Sequence, residues 1–310
     1  LERDIYGIGF KTADRIAQAL GLPPEHPARI EAGIVFALNE LIDDGNVYAP
    51  RELLSARSVE LLGVAADLIP AALERLVTEE RIRPDVIPFD RTPARSASPS
   101  VSEPRAGYGA PVIYLTPLYF GEKGVAERLK ALTAAPVAPV QTAFSDPHLS
   151  PEQQAAVQVA LRSPVSVLTG GPGTGKTTCL KALISALEAQ GKTCGLASPT
   201  GRAAKRLSEA TGRPASTIHR LLEPNPTLGF KRNEQNPLEV DFLVVDEASM
   251  LDLLLTNHLL KALRPGTQLL FVGDTDQLPS VGAGDVLRDL MESGRIPVTR
   301  LTTIFRQAAD

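Results

Sequence analysis

Eight consecutive residues, Gly170-Gly171-Pro172-Gly173-Thr174-Gly175-Lys176-Thr177, set closely spaced glycines before a lysine and a hydroxyl. The spacing is that of a phosphate-binding P-loop, Gly, four residues, then Gly-Lys-Thr. Glycines let successive backbone N–H groups turn inward around phosphates without Cβ clashes. A helix beginning at Lys176 would add the positive end of its dipole. Lys176 could reach the β- and γ-phosphates, and the Thr177 hydroxyl could ligate Mg²⁺. The alternative is a glycine-rich turn with no ligand. The Lys-Thr pair and the apolar strand and helix patterns on either side argue against it.

Such a loop needs a second acidic position for the metal. Val244-Val245-Asp246-Glu247 supplies one at the end of an apolar run. Parallel strands place their C-terminal ends on one edge, where the loop would also lie. Asp246 could hold Mg²⁺ directly or through water, and Glu247 could polarise the attacking water as general base. An exposed acidic pair capping the next helix is the other reading.

Elements that could position these residues are visible on both sides. Val165–Thr169, Cys194–Ser198, Phe242–Asp246 and Leu269–Gly273 are short apolar runs. Helical patterns lie at Lys176–Gln190, Arg202–Thr211, Leu253–Leu263 and Asp285–Glu292. Strands alternating with helices predict an α/β domain with a parallel sheet covered on both faces. The N-terminal part reads differently. Pro27 to Asp44 puts Ile30, Ile34, Leu38, Leu41 and Ile42 on one helix face, with Gly45 as a stop. Pro70 to Glu80 repeats the design with Leu73, Leu76 and Val77. β-like pieces follow at Arg81–Ile87 and Val112–Leu115, and a further helix runs from about Leu118 to Leu132. Helices followed by a strand pair suggest a small winged-helix-like unit.

Two composition breaks divide the chain. Between Arg91 and Pro111, Pro, Ser, Gly and Ala make up fourteen of twenty-one residues, which predicts a flexible loop. A softer break from Ala134 to Pro147 carries Pro136, Pro139 and Pro147. The predicted organisation is a mainly helical N-terminal domain over 1–135, a linker over 136–147 and the α/β domain over 148–310.

Bulk numbers exclude little. The 310 residues are 43% hydrophobic and 22% charged, with a formal net charge of −4. Charge is nevertheless local. Residues 201–232 hold Arg202, Lys205, Arg206, Arg213, Arg220, Lys231 and Arg232 against Glu209 and Glu223, a surplus of +5. That stretch is either a solvated face or an anion-binding one. Cys179 and Cys194 have no metal-ligand spacing and fall in apolar segments, as small core residues do. No apolar run approaches the ~20 residues of a membrane span, and no signal peptide is visible. A cytoplasmic protein without membrane contact is expected. The start at Leu1 and an unfinished pattern at Asp310 suggest a fragment.

P-loops serve kinases, transporters, GTPases and motors, so the loop alone does not choose among them. Other motifs do. Leu149-Ser150-Pro151-Glu152-Gln153-Gln154-Ala155-Ala156-Val157, Ala197-Ser198-Pro199-Thr200-Gly201-Arg202-Ala203-Ala204 and Ser216-Thr217-Ile218-His219-Arg220-Leu221-Leu222 flank the loop in order. Gly273-Asp274-Thr275-Asp276-Gln277-Leu278-Pro279-Ser280-Val281-Gly282-Ala283-Gly284 and Leu301-Thr302-Thr303-Ile304-Phe305-Arg306-Gln307 follow. In these motifs the sequence resembles superfamily 1 helicases, and within them the RecD-like group that moves 5′→3′.

The resemblance covers about Leu149 to Gln307 and implies a RecA-like motor domain using ATP and Mg²⁺. It implies that Gln153 reads the adenine edge and that Gly171, Gly173, Thr174, Gly175, Lys176, Thr177 and Thr178 line the nucleotide. Thr177 and Asp246 would hold the metal. Lys176, Glu247, Gln277 as γ-phosphate sensor and Arg306 as charge stabiliser would carry the chemistry. Pro199, Thr200, Arg202, Thr217, His219 and Arg220 would touch single-stranded DNA. His219 could instead be a cap or core histidine, and Arg306 a surface residue in a turn. In this family the chain continues into a second RecA-like domain, and ATP binds between the two.

Two further segments fit the resemblance. Ile5-Tyr6-Gly7-Ile8-Gly9-Phe10-Lys11-Thr12-Ala13-Asp14 is similar to the second half of a helix-hairpin-helix, whose remnant would span about 5–21 and offer backbone N–H groups to a DNA phosphate. This points to the free-standing RecD-type form with an extended N-terminal region. The second segment is an insertion near 224–240, which interrupts the strand–helix alternation. It predicts a protruding hairpin with arms Thr227–Arg232 and Leu238–Val240 and a tip at Asn233–Pro237, or else a surface loop. The expected function is an ATP-dependent DNA helicase or translocase, 5′→3′, in DNA repair or recombination. It would act as a monomeric motor on single strands and on junctions of single- and double-stranded DNA. The alternatives are a DNA-binding module with a vestigial ATPase and a related RNA or conjugative helicase.

Overall fold

The computed structural model describes residues 9–43, 45–88, 109–136, 144–227, 229–277, 280 and 282–305. The chain divides into two compact units, 1–120 and 121–310.

In the first unit, α1 (Phe10–Ala19) packs on α2 (Pro27–Asp43). Phe10 stacks on Phe36 with ring centroids 5.1 Å apart. Arg29 reaches from α2 to Asp14 on α1 through Nε (2.6 Å) and Nη2 (3.0 Å). It also donates to the carbonyls of Pro24 and Leu62. A charge this buried needs that full set of acceptors. After α2 come β1 (Tyr48–Pro50), α3 (Arg51–Leu62), α4 (Leu68–Thr78), β2 (Ile82–Ile87) and β3 (Ala110–Leu115). The three strands form an antiparallel sheet in the order β1-β3-β2. Ile30, Ile34, Leu38, Leu54, Ile69, Leu73, Leu76 and Ile82 fill the core. The two helices and the strand pair expected from the sequence are present as α2, α4, β2 and β3, and α3 and β1 are elements that it did not announce. β3 starts at Ala110, two residues before the expected strand, because Ala110 and Pro111 continue the pairing to Ile87 and Val86. The rest of the expected flexible loop, 91–108, lies outside the described residues, as does Ile5–Ile8 of the hairpin motif.

α5 (Thr116–Ala134) spans the boundary between the units. The second unit continues with α6 (Pro151–Arg162), β4 (Val165–Gly170), α7 (Lys176–Ala189), β5 (Cys194–Ser198), α8 (Gly201–Thr211), β6 (Ser216–Thr217) and α9 (Ile218–Leu222). Then come a two-strand hairpin of β7 (Pro224–Asn225) and β8 (Gly229–Phe230), β9 (Phe242–Val245), a 3₁₀ turn at Ala248–Met250 and α10 (Leu253–Lys261). β10 (Gln268–Gly273), α11 (Val286–Glu292) and β11 (Val298–Leu301) complete it. Six parallel strands lie in the order β11-β4-β10-β9-β5-β6. The connections from β4 to β5 and on to β6 run toward one edge. Those from β9 to β10 and on to β11 run toward the other. Right-handed crossovers therefore put α7 and α8 on one face and α10 and α11 on the opposite one.

The central strands β4, β9 and β10 are buried along their whole lengths. Their side chains alternate between two packed faces. Leu168, Phe242, Val244, Leu270 and Val272 meet Leu180, Leu183, Ile184 and Leu187 of α7. Leu243, Val245, Leu269 and Phe271 are equally buried on the other side. Each such side chain contributes about 1.5–3 kcal/mol of burial, which fixes the sheet and leaves its C-terminal edge free to carry polar loops. Cys179 sits in this core, and burial pushes its thiol up to about 11 and that of Cys194 to about 12, so neither is a reactive thiolate.

Candidate functional site

β4 ends at Gly170, where the chain after it runs close to β11. A Cβ on Gly170 would lie 2.7 Å from the Leu301 carbonyl oxygen and 2.8 Å from Thr174 Oγ1. Gly175 caps α7 in the left-handed region, at φ +88°. Between them Thr174 is buried and its hydroxyl donates to the Gly171 carbonyl at 2.8 Å. The Lys176 ammonium donates to the carbonyls of Gly170 and of Gly171, the latter at 3.1 Å. Gly171 is half-buried, whereas Gly173, Thr177 and Thr178 are exposed at the loop and the first turn of α7.

Gln153 is buried at the start of α6. Its N–H bonds Ser150 Oγ and its Oε1 accepts from the Ser150 N–H, a reciprocal capping box. Its Nε2 reaches the Thr174 carbonyl at 3.5 Å. The residue expected to read adenine is thus seated against the P-loop backbone, which the sequence motif did not reveal.

β10 separates β4 from β9, so three strand ends meet on one edge. β9 delivers Asp246 and Glu247. Burial, reinforced by the charge of Glu247, pushes the Asp246 carboxyl up from 3.8 to about 6, against the pull of the Glu247 N–H and the Lys176 ammonium. A carboxylate so short of solvent is suited to a cation. Glu247 stands at φ +54°, unusual for a residue with a Cβ, and begins the 3₁₀ turn. That conformation costs roughly 1–2 kcal/mol. β10 delivers Asp274, which is buried and accepts from the Asp276 N–H (3.1 Å) and from Gln277 Nε2 (3.1 Å). Gln277 is exposed beside it. Leu278, Pro279, Val281 and Arg306 lie outside the described residues.

The positions expected to touch DNA also gather. β5 and β6 pair Ala197 with Ser216 and Ser198 with Thr217, which brings the two motifs side by side. Thr200 and Thr217 are the N-caps of α8 and α9, accepting from Ala203 N–H (3.2 Å) and Arg220 N–H (3.1 Å). Pro199 is half-buried, and Arg202, His219 and Arg220 are exposed. Part of the basic stretch is already committed. Arg213 pairs with Glu188, Lys205 with Glu209 and Arg232 with Glu223. Among the described residues Arg202, Arg206, Arg220 and Lys231 make no such pair.

The insertion departs from its expected form. The hairpin arms are Pro224–Asn225 and Gly229–Phe230, so the chain turns from Pro226 and Thr227 rather than at Asn233–Pro237. Residues 233–236 close a compact turn of their own through paired Asn233 and Asn236 backbone bonds. Phe230 sits between His219 and His258, with ring centroids 5.9 Å and 5.0 Å away. Glu234 pairs with Arg128 of α5. An apolar ring that finds cover and a sequence rich in proline favour this folded-back form over long strands.

A further arrangement had no sequence signal. Glu152, one residue before Gln153, accepts hydrogen bonds from residues 302 and 303 after β11. Among the described residues no cluster of His, Cys, Asp and Glu suits a metal by itself. No described helix is long and apolar enough to cross a membrane.

Comparison with known proteins agrees with this geometry. Residues 153–283 match the family model described as an AAA domain, and residues 1–48 match the ATP-dependent RecD2 DNA helicase HHH domain. The ATP-dependent RecD2 DNA helicase of Deinococcus radiodurans is 38% identical over 325 residues, covering 100% of this chain and 43% of that protein. The RecBCD enzyme subunit RecD of Mycolicibacterium smegmatis is 40% identical over 69% of this chain and 44% of its own length. The RecD subunit of Mycobacterium tuberculosis is 35% identical over 84% of this chain and 53% of its own. The chain therefore spans about half the length of the curated relatives it matches. The crystal structure of the Pif1 helicase from Candida albicans overlaps 52% of this chain and 41% of that one at 29% identity and a TM-score of 0.40, a likeness too slight to argue from. The two family models and the RecD and RecD2 relatives place the chain in the RecD-like family of superfamily 1 helicases.

Proposed function

We propose that the chain is the ATP-binding half of a motor that moves 5′→3′ along single-stranded DNA and separates strands at junctions. One observation carries the reading. The P-loop, Asp246-Glu247 and Asp274–Gln277 leave three neighbouring strands at one sheet edge, and the β5–β6 loops with Arg202 and Arg220 share that edge.

ATP phosphates would lie along the backbone of Gly171–Gly175 with Lys176 turned outward from its carbonyl partners. Mg²⁺ would be held by Thr177 and Asp246 and would neutralise charge on the phosphates. The buried, reluctantly ionised Asp246 fits that ion. Glu247 takes the proton of the attacking water. Gln277, resting on Asp274, senses the γ-phosphate, and Arg306 spreads charge from the transferring group. Gln153 positions both the adenine and the loop. Pro199, Thr200, Arg202, Thr217, His219 and Arg220 hold the strand, largely through its phosphates. A repair or recombination role, a monomeric motor and a cytoplasmic site of action are parts of the same reading.

The test uses the full-length protein with forked duplexes carrying a 5′ or a 3′ single-stranded tail. ATP- and Mg²⁺-dependent unwinding of the 5′-tailed fork is expected. DNA-stimulated ATPase without unwinding on either fork would leave a translocase, and the absence of any DNA stimulation would overturn the reading.

A further inference from the structure

β10 ends at Gly273, which is wedged between two elements. A Cβ there would lie 2.7 Å from Leu287 Cδ2 of α11 and 3.1 Å from the Ser249 backbone nitrogen in the turn after Glu247. The chain then folds over the buried Asp274. Asp274 Oδ1 accepts the Asp276 N–H, the Asp274 carbonyl accepts the Gln277 N–H, and Oδ2 accepts Gln277 Nε2, each at 3.1 Å. A carboxamide nitrogen carries two hydrogens, and its oxygen accepts. With one N–H held by Asp274, the exposed Gln277 keeps a second donor for a phosphate oxygen and an acceptor for a water. The outer side of the loop is held from α11. Arg288 Nη2 donates to the Thr275 carbonyl at 3.2 Å, and Arg288 Nε donates to Asp285 Oδ2 at 2.8 Å. A guanidinium is a rigid planar fork, so the bond at Nε aims the one at Nη2. Asp285 stands at the start of α11 and gives that helix no side-chain cap. Both residues lie beyond Gly284, where the helicase-like motif ends.

We propose that Arg288 is a positioning residue for γ-phosphate sensing, holding the Thr275 carbonyl so that Gln277 stays where ATP and ADP are told apart. The inference rests on the reading of Gln277 as γ-phosphate sensor. Thr275 is two positions from Gln277, and two residues reach at most ~7 Å when extended. A hold on the one therefore limits the travel of the other. Asp274 sets the direction of the carboxamide, and Arg288 sets the place of the backbone that carries it. Sensing demands such placement, because a displacement of about 1 Å can cost a hundredfold in rate. The Arg288–Asp285 pair is about one-third exposed and adds little to stability. Arg288 thus acts on where the loop lies more than on whether the domain folds.

The experiment titrates the full-length protein with a fluorescent non-hydrolysable ATP analogue and with fluorescent ADP, each with Mg²⁺, and reads the ratio of the two Kd values. The proteins are wild type, Arg288→Ala, Arg288→Lys, Asp285→Ala, Gln277→Ala and the Arg288→Ala/Gln277→Ala double variant. Arg288→Ala is expected to weaken the ATP analogue by at least about fivefold and to move ADP by less than about twofold. Steady-state kcat with saturating single-stranded DNA should fall by at least about fivefold as well. Arg288→Lys keeps the charge without the fork and should fall between, as should Asp285→Ala, which keeps the guanidinium without its aim. In the Gln277→Ala background, Arg288→Ala should not change the ratio further. An unchanged ratio in Arg288→Ala overturns the proposal, as does equal weakening of both nucleotides. The same proportional loss in the Gln277→Ala background also overturns it. Wild-type discrimination by Gln277→Ala alone overturns the sensor reading instead, and the proposal with it. Asp285→Ala serves as the independent variant if Arg288→Ala fails to fold.

Discussion

Asp246→Asn should make the free protein more stable and the nucleotide-bound protein less so. The Asp246 carboxyl rises from 3.8 to about 6, first through burial and then through the neighbouring Glu247 charge. Two units at about 1.4 kcal/mol each amount to roughly 3 kcal/mol spent on keeping that charge in the folded state. The folded value lies above the unfolded one, and the group is an acid. The penalty is therefore absent below pH 3.8, grows as pH rises, and is complete above about pH 6. Asparagine does not titrate, so the variant escapes it. The stability difference, variant minus wild type, should be about 1.4 kcal/mol larger at pH 8 than at pH 5, since about half the penalty has accrued by pH 5. Shared titrations cancel in that difference. Urea unfolding of both proteins at the two pH values measures it. Saturating ATP analogue with Mg²⁺ should reverse the order at pH 8, because the metal stabilises the ionised carboxylate only in the wild type. A pH-independent difference, or equal stabilisation of both proteins by the metal complex, would refute the reasoning.

Four further outcomes are expected. Lys176→Ala should abolish ATP turnover and leave the unfolding midpoint nearly unchanged, since among the described residues the ammonium hydrogen-bonds two loop carbonyls, of Gly170 and Gly171, and fills no core space; calorimetry and a phosphate-release assay together check this. Glu247→Gln should keep nucleotide binding while slowing hydrolysis by at least about a hundredfold, read by single-turnover kinetics beside fluorescent-nucleotide titration. DNA affinity should fall steeply with salt, and losing both Arg202 and Arg220 should reduce the log–log slope by about 2, measured by anisotropy from low to moderate ionic strength. Phe230→Ala should loosen the hairpin from His219 and His258; if the hairpin takes part in separating strands, unwinding should fall more than DNA-stimulated ATPase, and a parallel loss of both counts against that role.

Contiguous chemistry was readable from the chain alone. The P-loop needs glycines, a lysine and a hydroxyl within eight positions, so its residues declare themselves before any fold is known. The buried runs of β4, β5, β9 and β10 and the apolar faces of α2 and α4 were legible for a similar reason, because each repeats a local period. The edge strands were not. β6 has two residues, and β11 carries exposed Val298 and Arg300, so neither shows the apolar run of a central strand. Tertiary structure alone decided what depends on distance across the sequence. Only the fold brings Glu152 to Thr302, 150 residues away, or turns the Gln153 carboxamide onto the P-loop. Only packing determines that Phe230 draws the insertion back between two histidines, because an apolar ring seeks cover that its neighbours in sequence do not supply. The sequence named Asp246 as an acid at a strand end. Its reluctance to ionise comes from the desolvation and neighbouring charge that the folded sheet edge imposes.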